Sequence, residues 1–367
     1  MTSSERWNQR PYDFSVPVSI DALAEADSLI AETVATQAFQ RLKQIRFLGG
    51  IDYLIVPVPN GARGNIRYTR YQHSIGVAWL ATLYAKKLLL DASTRRLLCI
   101  AALVHDIGHA PLSHSLEPIF KEAFGLDHHE ATRNILTGQV SLGREIYQLF
   151  RQYNLDIDRI LSIISGQGDE YHGFFGGPIN FDTIEGIFRS QAYAGPRLSI
   201  ANPEIVLDAA INRKTDGDRG VVDEFWLYKD LVYRQLINSR RGVLADFACQ
   251  LFMRNNIAAL KANDYFNTEV GIFRKLPGLR NLLTSRSFDV DVASFFDRGI
   301  AYRLRRFIID RAGDFFKRED ATRYRQSKTD CMLAPPTIAV EPSTEVEQDL
   351  FDDDGYRSSE STLGTYA

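Results

Sequence analysis

Apolar residues return at three- and four-residue steps through Ile30, Val34, Ala38, Leu42 and Ile45, the spacing that lines one face of a helix. Gly49-Gly50 then supplies the left-handed residue with which helices stop. The run Tyr53-Leu54-Ile55-Val56-Pro57-Val58 reads as a short strand and Asn60-Gly61 as the tightest hairpin signal in the chain, so a small β-ribbon is expected here. Thr69 can cap a long helix over about residues 71–90, with His73 in its first turn. Asp91 or Ser93 begins another, whose Leu97, Leu98, Ala101, Ala102 and Val104 lead to His105. Gly108 and Pro111 show the chain leaving regular helix just there.

Beyond a loop through Gly125, Asp127-His128-His129-Glu130 opens an amphipathic helix carried by Ala131, Ile135 and Leu136, and helical patterns continue over about residues 142–166. Gly166, Gly168, Gly173, Gly176, Gly177 and Pro178 mark a flexible loop, after which Ile184, Ile187 and Phe188 resume the helical step. From Pro203 to about Lys317 nearly every segment reads as helix, with apolar and aromatic stripes over 221–236 and 242–260 that suit core or subunit contact. No fixed-period repeat is evident. The pattern is all-α with one small hairpin, preceded by a polar, proline-containing arm over residues 1–20 and followed, after Pro335-Pro336, by a tail.

Hydrophobic residues at 45% and charged ones at 24% are an ordinary globular mix, and 367 residues suffice for two units or one large one. The cysteines, Cys99, Cys249 and Cys331, are odd in number and far apart, which suits neither a disulfide framework nor a zinc knuckle and points to a reducing compartment. The chain starts without a charged-then-apolar leader and holds no run of about 18 apolar residues, so a cytoplasmic protein with no membrane span is expected. Its net charge of -3 is unevenly spread: between Glu341 and Glu360 eight carboxylates face one base, Arg357, which leaves the rest net positive. Much of that excess sits between Arg303 and Lys328. A basic stretch beside an acidic tail reads either as a site for nucleotide or nucleic acid that the tail can cover, or as a solvated helix face followed by a disordered end.

The chemistry concentrates elsewhere. Taken singly, His73 in a first helical turn, or His172 in the glycine-rich loop, reads as a satisfied polar residue. His105, Asp106, His109 and His114, however, fall within ten positions of a chain with seven histidines. His73, His105, Asp106 and Asp182 would offer a divalent metal two imidazoles and two carboxylates, with a position open for water or substrate. That mixture suits Mn, Fe, Co, Ni or Zn rather than magnesium alone. The spacing His105-Asp106-Ile107-Gly108-His109 also mimics the His-Glu-x-x-His helix of zinc proteases. Here Asp replaces the general-base Glu, and Gly108 with Pro111 would break the helix that such a site needs.

At these residues the sequence resembles the HD-domain phosphohydrolases, in the branch that holds bacterial dGTP triphosphohydrolases and the vertebrate SAM-and-HD-domain dNTPase. The matching elements are Phe39-Gln40-Arg41-Leu42-Lys43-Gln44-Ile45, Arg70-Tyr71-Gln72-His73-Ser74-Ile75-Gly76-Val77, His105-Asp106-Ile107-Gly108-His109-Ala110-Pro111-Leu112-Ser113-His114, His129-Glu130 and Asn180-Phe181-Asp182-Thr183-Ile184-Glu185. The correspondence spans about residues 35–190 and continues more weakly through Tyr228-Lys229-Asp230-Leu231-Val232-Tyr233. It implies an all-helical HD core over residues 21–200, a helical extension over 201–330 that completes the substrate pocket and makes oligomer contacts, and an acidic disordered tail over 331–367. In that resemblance His73, His105, Asp106 and Asp182 hold the metal. His109, His114 and His129 line the phosphate side with Glu117 as acidic partner, and Arg70 pairs with a phosphate through its planar fork.

The implied reaction is hydrolysis of a dNTP to deoxynucleoside and triphosphate, with water attacking the α-phosphorus, His129 or His109 moving the proton, and additional Mg accompanying the nucleotide. It would serve dNTP control or depletion during phage infection. Homo-oligomers with nucleotide activators are a further implication. The chain departs from the pattern at Thr183 and Gly186, where the vertebrate enzyme has a phosphate-binding lysine and a base-side tyrosine, and at Phe47, where it has a polar residue near the sugar. Lys229 and Tyr233 are expected to compensate from the next helix. No SAM domain precedes the catalytic region, so that form of regulation is expected to be absent. Two alternatives stay open: a phosphohydrolase of another nucleotide (monophosphate, cyclic or signalling), and a nucleotide-sensing or nucleic-acid-binding assembly protein without turnover.

Overall fold

The protein is represented by a computed structural model that describes residue 23 and residues 27–54, 67–168, 170–171, 173–190, 193, 200, 202–293, 295, 299–316 and 322–334. The arm, the Asn60-Gly61 hairpin, His172 and the tail beyond residue 334 lie outside the described residues. The first apolar stripe forms two helices, α1 (Ser28–Ala35) and α2 (Gln37–Arg41), broken at Thr36, whose extended backbone and hydroxyl cap the second. Gly49 takes the expected left-handed φ of 60°. Tyr53, expected at the head of a strand, instead ends a 3-10 turn over Gly49–Tyr53.

α3 (Arg70–Lys87) begins at Thr69 through a reciprocal cap with Gln72, and α4 (Ala92–Val104) begins at Asp91, whose carboxylate takes the Ser93 and Thr94 N–H groups. α4 buries every residue from Leu97 to Val104 and packs along α3. There follow α5 (Glu117–Phe124), α6 (His128–Leu136), α7 (Arg144–Gln152), α8 (Ile157–Ser165), α9 (Gly173–Gly176) and α10 (Phe181–Ser190). The C-terminal part contributes α11 (Pro203–Asn212), α12 (Asp216–Val232), α13 (Arg240–Asn255), α14 (Glu269–Lys275), α15 (Leu279–Leu283) and α16 (Phe288–Ala293). α12 runs on into a π-turn over Tyr233–Ile237, a local widening common at functional sites. One continuous apolar core joins the two parts, with Phe188 of α10 stacked on Phe225 of α12. No helix among the described residues is long and apolar enough to cross a membrane.

The helical reading gives way at the end of the C-terminal part. β1 (Ile300–Ile309) and β2 (Tyr324–Leu333) form an antiparallel ribbon, Ile300 opposite Leu333 and Ile309 opposite Tyr324. Its anchor is Trp226 of α12, which meets the Phe307 ring edge-on and donates its indole N–H to the Ile308 carbonyl at 3.1 Å. The basic stretch is therefore a ribbon and not a helix face. Arg303, Arg306 and Arg323 are paired with Asp330, Asp230 and Asp223, so much of its charge is neutralised within the fold.

Candidate metal centre and substrate cavity

Three helix ends bring the expected ligands together: the first turn of α3 carries His73, the residues just after α4 are His105 and Asp106, and the start of α10 carries Asp182. His73 Nε2 stands 3.0 Å from Asp182 Oδ1 and 3.5 Å from Asp106 Oδ2, and His105 Nε2 stands 3.4 Å from Asp106 Oδ1. Both imidazoles are oriented by their other nitrogen. His73 Nδ1 lies 2.5 Å from Glu185 Oε2 and His105 Nδ1 lies 2.7 Å from the Ala102 carbonyl, which points both Nε2 atoms into the cluster. His105 Nε2 is buried and has no hydrogen-bond partner among the described residues. Burial opposes a charge on His73, yet Glu185, Asp182 and Asp106 outweigh it and raise its pKa to about 9. The cluster is thus short of positive charge, and an orphaned nitrogen beside two carboxylates fits a divalent cation.

Residues remote in sequence hold this centre in shape. Asp106 Oδ2 accepts from Arg70 Nη1 at 2.7 Å and its Oδ1 meets His109 Nε2 at 3.0 Å. Burial disfavours its charge, but His105, Arg70 and His109 keep Asp106 ionised well below the usual carboxylate range. Arg70, expected on a phosphate, lines the cavity and donates to Asp106 and to the Ser113 hydroxyl. Glu185 is in turn gripped by Arg189, and a side chain at Gly76 would overlap the Glu185 carboxylate, so glycine is required there. Arg41 donates to the carbonyls of Ile107 and His109 at 3.0 and 2.7 Å and fixes the turn after α4.

Leu112 and Ser113, just before His114, both hold positive φ, 58° and 47°, a strain of about 1–3 kcal/mol at each. The buried Glu269 restrains them: its Oε1 accepts from the Leu112 and Arg46 N–H groups, and its Oε2 from the Tyr53 hydroxyl. Burial raises the Glu269 pKa to about 7. Because the folded value lies above the unfolded one, its contribution is full below about pH 4.5 and is lost as pH rises towards 7. Glu269→Gln keeps the acceptor and should melt at least as high as the parent at pH 8. Glu269→Ala orphans buried donors, each worth about 1–3 kcal/mol, and should melt lower and turn over more slowly. Thermal melts of the two variants at pH 8 check this, and equal melting would refute it.

Beside the cluster stands a row of imidazoles. His109, 1% exposed, stacks on His128 at 4.8 Å and meets His114 edge-on at 4.7 Å. His128 Nδ1 lies 3.0 and 2.9 Å from the two Glu117 oxygens. Burial and Arg70 push His109 down to about 3, whereas at His128 burial is outweighed by Glu117 and the pKa rises. The row therefore combines a neutral imidazole with one biased towards its charged form. His129, expected in this row, lies exposed beside His128 and lines a different, smaller cavity, while His128 takes the place beside Glu117.

The row, with Asp106 and Asp182 of the cluster, faces a cavity of about 240 Å³. Asp182, Thr183 and Gly186 of α10 form one wall, Phe47, Leu48 and Ile51 another, and Lys229, Tyr233, Ile237 and Asp246 close it from the C-terminal part. Lys229 and Tyr233 thus reach the stretch around Thr183 and Gly186. Lys229, 8% exposed, sits over the Trp226 and Phe307 rings at 4.7 and 4.5 Å, and its polar contact is Thr183 Oγ1 at 3.5 Å. Burial pushes its pKa down to about 8. Asp246, which accepts from the Ser115 hydroxyl at 2.6 Å, carries no signal in the sequence that links it to this site.

Residues 70–173 match the family described as HD domain. The chain carries an HD domain. The chain is similar to the deoxynucleoside triphosphate triphosphohydrolase SAMHD1 of Gallus gallus, 27% identical over 74% of this chain and 42% of that protein. It is 40% identical to the SAMHD1 of Homo sapiens over 26% of this chain and 15% of that protein, and 29% identical to YwfO, an uncharacterized protein of Bacillus subtilis, over 46% and 37%. The matches span less than half the length of each of these relatives. A crystal structure of a hypothetical protein from Aquifex aeolicus shares the fold, with a TM-score of 0.59 at 16% identity over 82% of this chain and 91% of that one. The matched HD domain contains His73, His105, Asp106 and the imidazole row, whereas Asp182, Lys229 and Tyr233 lie beyond it. The cavity is therefore completed by the C-terminal part.

Proposed function

We propose that this protein is a metal-dependent dNTP triphosphohydrolase that releases deoxynucleoside and triphosphate. The observation that carries the reading is a buried ammonium, Lys229, with no carboxylate within ion-pair distance among the described residues, facing the same cavity as the histidine–aspartate cluster. Such a charge favours an anionic guest. His73, His105, Asp106 and Asp182 would hold the divalent ion, which supplies Lewis-acid neutralisation of charge developing on a phosphoryl group. His128, biased towards its charged form by Glu117, gives a proton to the departing oxygen. His109, neutral and bonded to Asp106, orients the row, and His114, open to the cavity, donates to a phosphate oxygen. Lys229 and Tyr233 hold the outer phosphates. The name of the SAMHD1 relatives supports the same substrate class.

Incubating the metal-loaded protein with each dNTP and NTP should yield triphosphate. Orthophosphate alone would favour a phosphohydrolase of another nucleotide, and binding without products a sensor. His114→Ala should keep its metal, measured by elemental analysis, while turnover falls by about 10²–10³-fold, the usual worth of one hydrogen-bond donor aimed at developing charge. Normal turnover in that variant would remove His114 from the mechanism.

A further inference from the structure

The histidine–aspartate cluster borders two cavities. The second, of about 120 Å³, shares Asp106, Asp182 and His128 with the substrate cavity, but its remaining polar lining is His105 and His129. It presents three imidazoles and two carboxylates and, among the described residues, no lysine or arginine. The substrate cavity, by contrast, holds the Lys229 ammonium and the Arg70 guanidinium. His105, whose buried Nε2 lacks a partner, lines the small cavity and not the large one. Farther out, the small cavity shares His129 and Ile164 with a cleft of about 730 Å³ between α6 and α8, lined also by Glu130, by Arg133 and by Asp127, whose carboxylate is held by Lys121 and the Glu130 N–H.

We propose that this string of cavities is the way in for the divalent ion, from the cleft, past His129 and Ile164, to His105. The proposal rests on the metal-dependent reading of the centre. A hydrated dication approaching through the substrate cavity meets a buried ammonium at close range, where the low dielectric strengthens the repulsion. On the other side it meets the Glu130 carboxylate in the cleft and then the exposed His129 imidazole, followed by the donors of the small cavity, which can replace its waters one at a time. The geometry also separates the two traffics: a nucleotide filling the substrate cavity leaves the metal route open.

Ile164, half-buried at the junction of cleft and small cavity, is the point to test. The full-length protein is stripped with a chelator and Co²⁺ uptake is followed by its visible absorption, for the parent, Ile164→Trp and Ile164→Ala. Plugging with Trp should slow uptake severalfold and opening with Ala should speed it, with the final cobalt content unchanged. Saturating the substrate cavity with inorganic triphosphate, at matched free Co²⁺, should not slow uptake in the parent. Equal rates in all three proteins, or uptake blocked by triphosphate, would overturn the route while leaving the metal centre standing. A parent that takes up no cobalt would overturn the metal reading itself. Should the Trp variant fold poorly, the acceleration by Ala alone decides the matter.

Discussion

Asp106→Ala is expected to lose the metal, lose turnover and melt several degrees lower than the parent. Four side chains converge on this carboxylate: Arg70 at 2.7 Å, His109 at 3.0 Å, and the Nε2 atoms of His73 and His105 at 3.5 and 3.4 Å. Truncation removes a proposed metal ligand. It also leaves the Arg70 guanidinium, 5% exposed, with the Ser113 hydroxyl and the face of the Phe47 ring but without its carboxylate, and an uncompensated charge at such depth costs about 3–5 kcal/mol. The pH dependence has a definite sign. Asp106 titrates below its unfolded value, so its contribution is complete above about pH 4 and fades as the solution is acidified further. The gap in melting temperature between parent and variant should therefore be widest near neutral pH and shrink in acid. Asp106→Asn, which keeps the shape and one acceptor, should lose the metal with a smaller drop in stability. Elemental analysis and thermal melts decide: a variant with full metal content removes Asp106 from the ligand set, and one as stable as the parent removes the buried pair.

The clustering of the candidate ligands was legible because local signals place them. Thr69 and Asp91 are caps that set the start of α3 and α4, and once those helices are in phase His73 and His105-Asp106 fall at their ends. What could not be read was set by contacts between distant segments. His128 and His129 differ by about 100° around α6, and the choice between them follows from how α6 docks. It docks so closely that a side chain at Gly108 would strike the backbone at Thr132 and His128. Arg41 and Glu269 act on backbone carbonyls and amides 66 and 157 positions away, a role that leaves no motif. In the ribbon, Tyr302 and Leu304 alternate with exposed Ala301, Arg303 and Arg305, but the arginines mask the period of two and the pairing partner begins fourteen residues beyond the first strand.

Lys229→Met should raise the melting temperature and weaken nucleotide binding together. Lys229 is buried over two aromatic rings, whose faces attract a cation by roughly 0.5–2 kcal/mol, less than a paired carboxylate supplies at this depth. Its pKa falls from the ordinary 10.5 to about 8, which corresponds to a folding penalty of roughly 3 kcal/mol wherever both states are protonated. The folded state sheds this proton first, so the parent should gain stability as pH rises from about 8 to about 10.5. Methionine fills a similar volume without charge. The variant should melt higher at pH 7, and its own stability should lack that rise. A phosphate anion supplies the partner that the fold withholds, so KM should rise about tenfold or more while kcat changes less, the signature of contacts made equally in ground and transition states. Inorganic triphosphate should correspondingly lift the melting temperature of the parent more than that of the variant. If Lys229→Met melts lower and keeps its KM, the ammonium is a packing element and the polyanion must be held elsewhere.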